Sequence, residues 1–449
     1  MSMLNFIFKN PGIFWEATKN NLQQGIPLSL ASLFMDYQSK TEKFSQAPEK
    51  KLGVFTAGMP AEFLLAFDIF PIFPEAYACM CGQAGITQHL IEHAEGLGYS
   101  RDLCSYMKVN IGAMDKKYPC NFGGAPVADC YIASNGVCDT QAKWVENTAR
   151  KYGRPYFLMD VPNPVSGSDD AKREIDFEYE IAQMHDMIKF LEKVTGKSFD
   201  KEKFMGIIAK SQEVCRLYLE IYEYRKRFPS PFYFEITRAL MFPQFGMWDL
   251  DGAAKYYRKV LNDIKKRYND APSGKIGKPE KYRLMWEGIT LWYNIDFYKY
   301  LAKKGAHVVY EPYTHAGAMR REKTASFDET LRVMAKENIS NFYTLDLEQR
   351  IPYFEQKIAE YSIDGLILHA NLSCRPSSTG LQDLKAAIEK SVKIPVLILN
   401  CDMDDPRAYA EGQIRTRVDA FIEMIEENKK QKQIQILSGG TGQWQTIVK

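Results

Sequence analysis

What this 449-residue sequence lacks narrows it first. None of its nine cysteines forms a Cys-x-x-Cys pair. Their odd number and wide spread argue against a secreted disulfide framework. There is no GxxxxGK[ST] loop and no GxGxxG between a strand and a helix, so nucleotide binding by a known phosphate loop is not expected. There is no HExxH motif, and the six histidines are scattered. An excess of one charge is also missing: 58 Lys and Arg stand against 56 Asp and Glu. That balance argues against a nucleic-acid binder or a polybasic membrane protein. No apolar run reaches the width of a bilayer. Residues 1–10 lack the basic, apolar and small-residue sections of a signal peptide, and a cytoplasmic protein is expected. In a reducing compartment the thiols are inert core, metal ligands or a nucleophile.

What is present is alternation. Short apolar runs ending in small or turn residues read as strands at Leu52–Thr56, Ile69–Phe73, Val127–Ala133 and Pro155–Met159. Helix-period stretches lie among them at Ala61–Phe67, Ala84–Leu97, Cys104–Ile111 and Thr140–Lys151. Strands that alternate with helices predict a parallel α/β sheet. From 168 to about 270 the pattern turns to long charged amphipathic stretches without a strand, and residues 271–279 read as a linker rich in Gly, Pro and Lys. Alternation then resumes, with strands at Tyr282–Trp286, Ala306–Tyr310, Asp364–His369 and Ile394–Leu399. Helices are expected at Tyr293–Lys303, twice within Ser326–Tyr361, at Gly380–Ser391 and at Glu411–Glu427. The expected organisation is an α/β domain with a helical lead-in over 1–165, with a turn at Gly25-Ile26-Pro27. A helical insert over 166–275 and a second α/β domain over 276–449, with a mobile tail around 438–442, complete it. The two α/β units show no sequence repeat but can share a topology.

Open α/β sheets bind ligands beyond the carboxyl ends of their strands, so chemistry is sought there. Cys138 follows the third strand at a helix start, Cys374 follows the Asp364–His369 strand, and Cys104 opens a helix. Helix N-termini favour a thiolate. These three are candidates for one interdomain metal site, against the plainer reading that each fills a core or a helix turn. Cys79-Met80-Cys81 reads as core or pocket wall; Cys120, Cys130 and Cys215 read as structural; Cys401, flanked by acidic residues, is a second-tier candidate. Glu75, after the second strand, suits proton transfer if partly buried, or else only faces a helix dipole. Glu287 has the same ambiguity. His369, close to Cys374 at a strand end, suits a supporting role behind the site or acid–base work. His89 and His93 share a helix face without an evident third ligand.

Several segments in one order carry a resemblance. They are Val54–Pro60, the Pro74-Glu75 pair, Asp102-Leu103-Cys104-Ser105-Tyr106 and Ser134-Asn135-Gly136-Val137-Cys138-Asp139-Thr140-Gln141-Ala142-Lys143-Trp144. Asp364–Cys374 and Asp402-Met403-Asp404-Asp405-Pro406-Arg407 follow. From about residue 50 to 427 the chain resembles the benzoyl-CoA reductase and 2-hydroxyacyl-CoA dehydratase family, most closely the larger catalytic-core subunit of ATP-dependent benzoyl-CoA reductases. The resemblance implies flavodoxin-like α/β domains and a [4Fe–4S] cluster on Cys104, Cys138 and Cys374. It implies a related smaller core subunit, separate ATP-hydrolysing iron–sulfur activator subunits and a ferredoxin donor. The implied reaction is two-electron reduction of an aromatic acyl-CoA to a cyclic dienoyl-CoA, through a ketyl-type radical anion. The alternatives are a 2-hydroxyacyl-CoA dehydratase subunit, with no net reduction, and a non-catalytic subunit that only relays electrons.

Overall fold

The computed structural model describes residues 51–117, 125–163, 170–234, 249–270, 280–316 and 322–438, with parts of 36–47 and 237–245. The expected turn at Gly25-Ile26-Pro27, the linker at 271–279, Cys120 and the tail beyond 438 lie outside them. The first unit contains β1 (Lys51–Phe55), α1 (Glu62–Ala66), β2 (Ile69–Ile72), α2 (Pro74–Gln83), α3 (Thr87–Gly96), α4 (Ser105–Asp115), β3 (Cys130–Ser134), α5 (Asp139–Lys151) and β4 (Tyr156–Met159). Three long helices follow: α6 (Asp170–Thr195), α7 (Lys201–Glu223) and α8 (Leu250–Asp270). The second unit contains β5 (Tyr282–Glu287), α9 (Asp296–Lys303), β6 (Ala306–Tyr310), α10 (Pro312–Ala316), α11 (Phe327–Ile339), α12 (Leu347–Glu360), β7 (Gly365–Asn371), α13 (Leu381–Ser391), β8 (Val396–Cys401) and α14 (Glu411–Ser438).

Both sheets are four-stranded and wholly parallel, in the orders β2-β1-β3-β4 and β6-β5-β7-β8. The orders are the same, and match the flavodoxin-like order without its last strand. Strands covered on both faces read as continuous apolar runs. β3 and β6 are buried at every residue. The helices between the sheets do not stand apart: Phe204, Ile208 and Tyr218 of α7 share a core with Phe63 and Leu64 of α1 and with Trp292 and Met403 of the second unit.

One element departs from the sequence reading. The helix expected over Ala84–Leu97 is α3, but α2, which precedes it and joins it through Gly85 with φ +69°, is not among the expected elements. Every residue of α2 from Pro74 to Gly82 is buried. A helix buried all round carries no apolar stripe, so periodicity does not reveal it. Pro74 sits at its first turn, where a missing N–H costs nothing.

Candidate functional site

In each sheet the strand order reverses between its first and third strands, and the crevice opens beyond their carboxyl ends. After β1 the chain turns through Ala57 and Gly58, the latter at φ +88°. After β5 it turns through Gly288, at φ +99°. Cys138 lies in the loop after β3 and Cys374 in the loop after β7. They therefore hold corresponding places in the two units. Cys104 comes from the crossover between β2 and β3. All three line one cavity of about 140 Å³, whose wall also includes Glu75, Cys79, Tyr106, Trp144, Tyr313 and Tyr343.

The three loops share a local device. Cys104 is the N-cap residue of α4, and Cys138 is the N-cap residue of α5. The backbone N–H three residues on lowers the pKa of each thiol: Met107 for Cys104, Gln141 for Cys138 and Ser377 for Cys374. These amides favour the thiolate, as expected at helix starts, but burial outweighs them. It pushes all three thiols up, Cys138 to about 12. Charge on Cys138 and Cys374 further opposes ionisation of Cys104, which shows that the three act on one another. Such thiols ionise only where a cation offsets the charge. Among the described residues no group of three His, Cys, Asp or Glu side chains closes on a single ion. An all-thiol donor set beside backbone N–H groups is of the kind that can hold an iron–sulfur cluster.

Two loops from different units are joined at this point. The Ser105 N–H donates to Ser373 Oγ at 3.2 Å, and the Ser373 N–H donates to Asp402 Oδ2 at 3.2 Å. Asp402 Oδ1 in turn accepts the N–H groups of Asp404 and Asp405, each at 2.9 Å. The neighbours of Cys104 and Cys374 are thus held by one short chain of hydrogen bonds.

Glu75 sits in the first turn of α2. Its Oε1 accepts the Ala57 N–H at 3.0 Å and the Gln141 side-chain amide at 2.8 Å. Its Oε2 has no protein partner among the described residues. Burial raises the carboxyl to about 7, against the pull of those hydrogen bonds. Near neutral pH both protonation states are therefore populated.

His369 is not brought to the cavity. It is fully buried in β7, with Nδ1 2.5 Å from the Ile289 carbonyl and its ring beside Trp286. That contact assigns the proton to Nδ1, and burial holds the imidazole neutral. Glu287 is also fully buried, accepts from Arg350 at 2.7 Å and does not line the cavity. His93 pairs with Asp115 at 3.0 Å on the half-exposed side of α3, and His89 is exposed. Cys401 is buried at the end of β8. Cys79 lines the cavity, its thiol 3.2 Å from Tyr106 Oη. Sequence reasoning gives no role to Tyr106, Gln141, Tyr313 and Tyr343, although the first two lie in the segments that carry the resemblance. The first two carry a signal, two residues after Cys104 and three after Cys138. Tyr313 and Tyr343 carry none.

Compared with known proteins, residues 56–425 match the family model of the 2-hydroxyglutaryl-CoA dehydratase D-component. The chain is 28% identical over 383 residues to the (R)-phenyllactyl-CoA dehydratase alpha subunit of Clostridium sporogenes, covering 85% of this chain and 91% of that one. It is 29% identical over 390 residues to the (R)-2-hydroxyisocaproyl-CoA dehydratase alpha subunit of Clostridioides difficile, with the same two coverages. It is 27% identical over 397 residues to a benzoyl-CoA reductase subunit of Thauera aromatica, covering 86% and 90%.

Proposed function

The chain belongs to the 2-hydroxyglutaryl-CoA dehydratase D-component family, and from that premise we propose that it is the iron–sulfur subunit of an enzyme that adds single electrons to a CoA thioester. The observation that carries this is the convergence of three cysteines from three separated loops on one cavity that also holds a carboxyl of pKa about 7. Cys104, Cys138 and Cys374 would hold a [4Fe–4S] cluster, which supplies low-potential single electrons when bound. Glu75 handles the proton: Ala57 and Gln141 fix one oxygen, and the other is free to exchange a proton with the acyl group. The rings of Trp144, Tyr313 and Tyr343 in the wall exclude water. His369, buried behind Gly288, holds the Ile289 backbone at the cavity wall rather than exchanging protons with substrate.

The first reading is reduction of an aromatic acyl-CoA ring to a cyclic dienoyl-CoA, supported by the aromatic wall and the likeness to the benzoyl-CoA reductase chain. The second is dehydration of a 2-hydroxyacyl-CoA, favoured by the likeness to the two dehydratase alpha subunits. Either requires a related second core subunit, an ATP-hydrolysing activator and an electron donor such as ferredoxin. The test is anaerobic turnover of the assembled complex with benzoyl-CoA and with 2-hydroxyacyl-CoA, alongside iron content and EPR. Cys104→Ser, Cys138→Ser and Cys374→Ser should each lower bound iron and abolish turnover. Full iron and full activity in all three would sink the proposal. Dehydration without ring reduction would select the second reading.

A further inference from the structure

Cys374 differs from its two companions. Neither Cys104 nor Cys138, the N-cap residues of α4 and α5, makes a side-chain capping hydrogen bond, and each is influenced only by a backbone amide three residues on. Cys374 has the Ser377 amide three residues on in the same way, and it also bonds the Ser377 hydroxyl, with Sγ 3.5 Å from Oγ. Ser377 is fully buried and lines the cavity. Its hydroxyl has this sulfur as its one hydrogen-bond partner among the described residues. The neighbouring hydroxyls are used otherwise. Ser378 Oγ donates to the carbonyls of Asn371 and Cys374, and Thr379 Oγ1 donates to that of Arg375. They close the turn, whereas Ser377 is left to the sulfur.

We propose that Ser377 is a positioning residue that sets the reduction potential of the cluster through Cys374. This rests on the three-cysteine reading above. With a thiol, the S–H donates to the Ser377 oxygen. With a metal-bound thiolate the roles reverse, and the serine O–H donates to sulfur. A donor to a cluster sulfur stabilises the state richer in electrons, so it raises the potential. The two backbone amides at Cys104 and Cys138 act in the same sense but no side-chain substitution removes them. Ser377 is the adjustable member of the set.

The experiment is an EPR-monitored redox titration of the assembled, iron-loaded protein. Ser377→Ala should lower the ratio of reduced to oxidised cluster at fixed potential by roughly tenfold, equivalent to about 59 mV for one electron. Ser377→Thr keeps the hydroxyl and should titrate within about twofold of the parent. Iron content and melting temperature should be unchanged in both. A Ser377→Ala protein within about twofold of the parent overturns the proposal. So does a threonine variant shifted as far as the alanine one, since packing would then be the cause. If the alanine protein does not hold iron, Ser377→Gly, which also removes the hydroxyl, takes its place on the same criterion. A parent protein that binds no cluster at all would instead defeat the three-cysteine reading itself.

Discussion

At the scale of the residue, Glu75 is the group whose environment and task are most at odds with stability. The unfolded chain releases this proton near 4.5 and the folded chain near 7. Between those values the unfolded state binds fewer protons, so stability falls as pH rises through the window. The full loss is at most about 3 kcal/mol. Glu75→Gln keeps the hydrogen-bonding shape without the charge. It should lower turnover by roughly 10²–10⁴-fold and yet raise the denaturant midpoint at pH 8, with no gain at pH 4. A variant less stable than the parent at pH 8 would show that the fold supports the ionised form, contrary to its burial. Gln141→Ala removes a donor that pulls the carboxyl down. It should therefore move the corresponding limb of the pH–rate profile upward; an unchanged or lower limb would separate Glu75 from that step. Residue type and position nominate Glu75 and the three cysteines as candidates, Cys104 at a helix start and the others after strands, and it is the family resemblance that groups the three cysteines. His369 is misplaced by the same reasoning for a simple cause: β7 runs two residues further, to Asn371, so the histidine lies within the sheet and not at its mouth.

At the scale of the element, most strands and amphipathic helices are legible in the sequence because one face or both are apolar with a clear period. α2 is not, and it is the element that carries Glu75 and Cys79 to the cavity. Its far end is packed as tightly. A Cβ on Gly82 would stand 2.1 Å from Asp404 Oδ1 and 2.8 Å from Trp292 Cβ. Gly206, in α7, has open space about it. Gly82→Ala should cost about 1–3 kcal/mol by overpacking, whereas Gly206→Ala should gain up to about 1 kcal/mol from helix propensity. Thermal unfolding of both variants checks this. Equal effects would mean that α2 is not a tightly confined wall. Sequence alone does not reach this level, because close approach across chain-distant segments leaves no local pattern.

At the scale of the molecule, a site drawn from two sheets works only if the sheets keep their distance. The helices between them provide one brace. Arg225, just after α7, donates through Nη1 to Glu311 Oε2 at 2.6 Å and through Nη2 to Glu311 Oε1 at 2.5 Å, just after β6. Both side chains are wholly buried. Thr314 Oγ1 donates to the same carboxylate at 3.0 Å, and Arg225 Nη2 also reaches the Val308 carbonyl at 3.0 Å. A pair so buried gains little over an apolar contact of equal shape, but half of it alone is costly. Glu311→Ala strands the guanidinium and should destabilise the protein by about 3–5 kcal/mol. Arg225→Met with Glu311→Leu should recover most of that loss. Denaturant unfolding of the single and double variants measures the difference. A double variant as unstable as the single would mean that the ion pair itself, and not the avoidance of a lone buried charge, joins the helices to the second sheet. Because Tyr313 follows Glu311 by two residues and lines the cavity, the single variant should also bind acyl-CoA more weakly. The repacked double variant should restore that binding together with stability, since both depend on the same seating of α10 against α7.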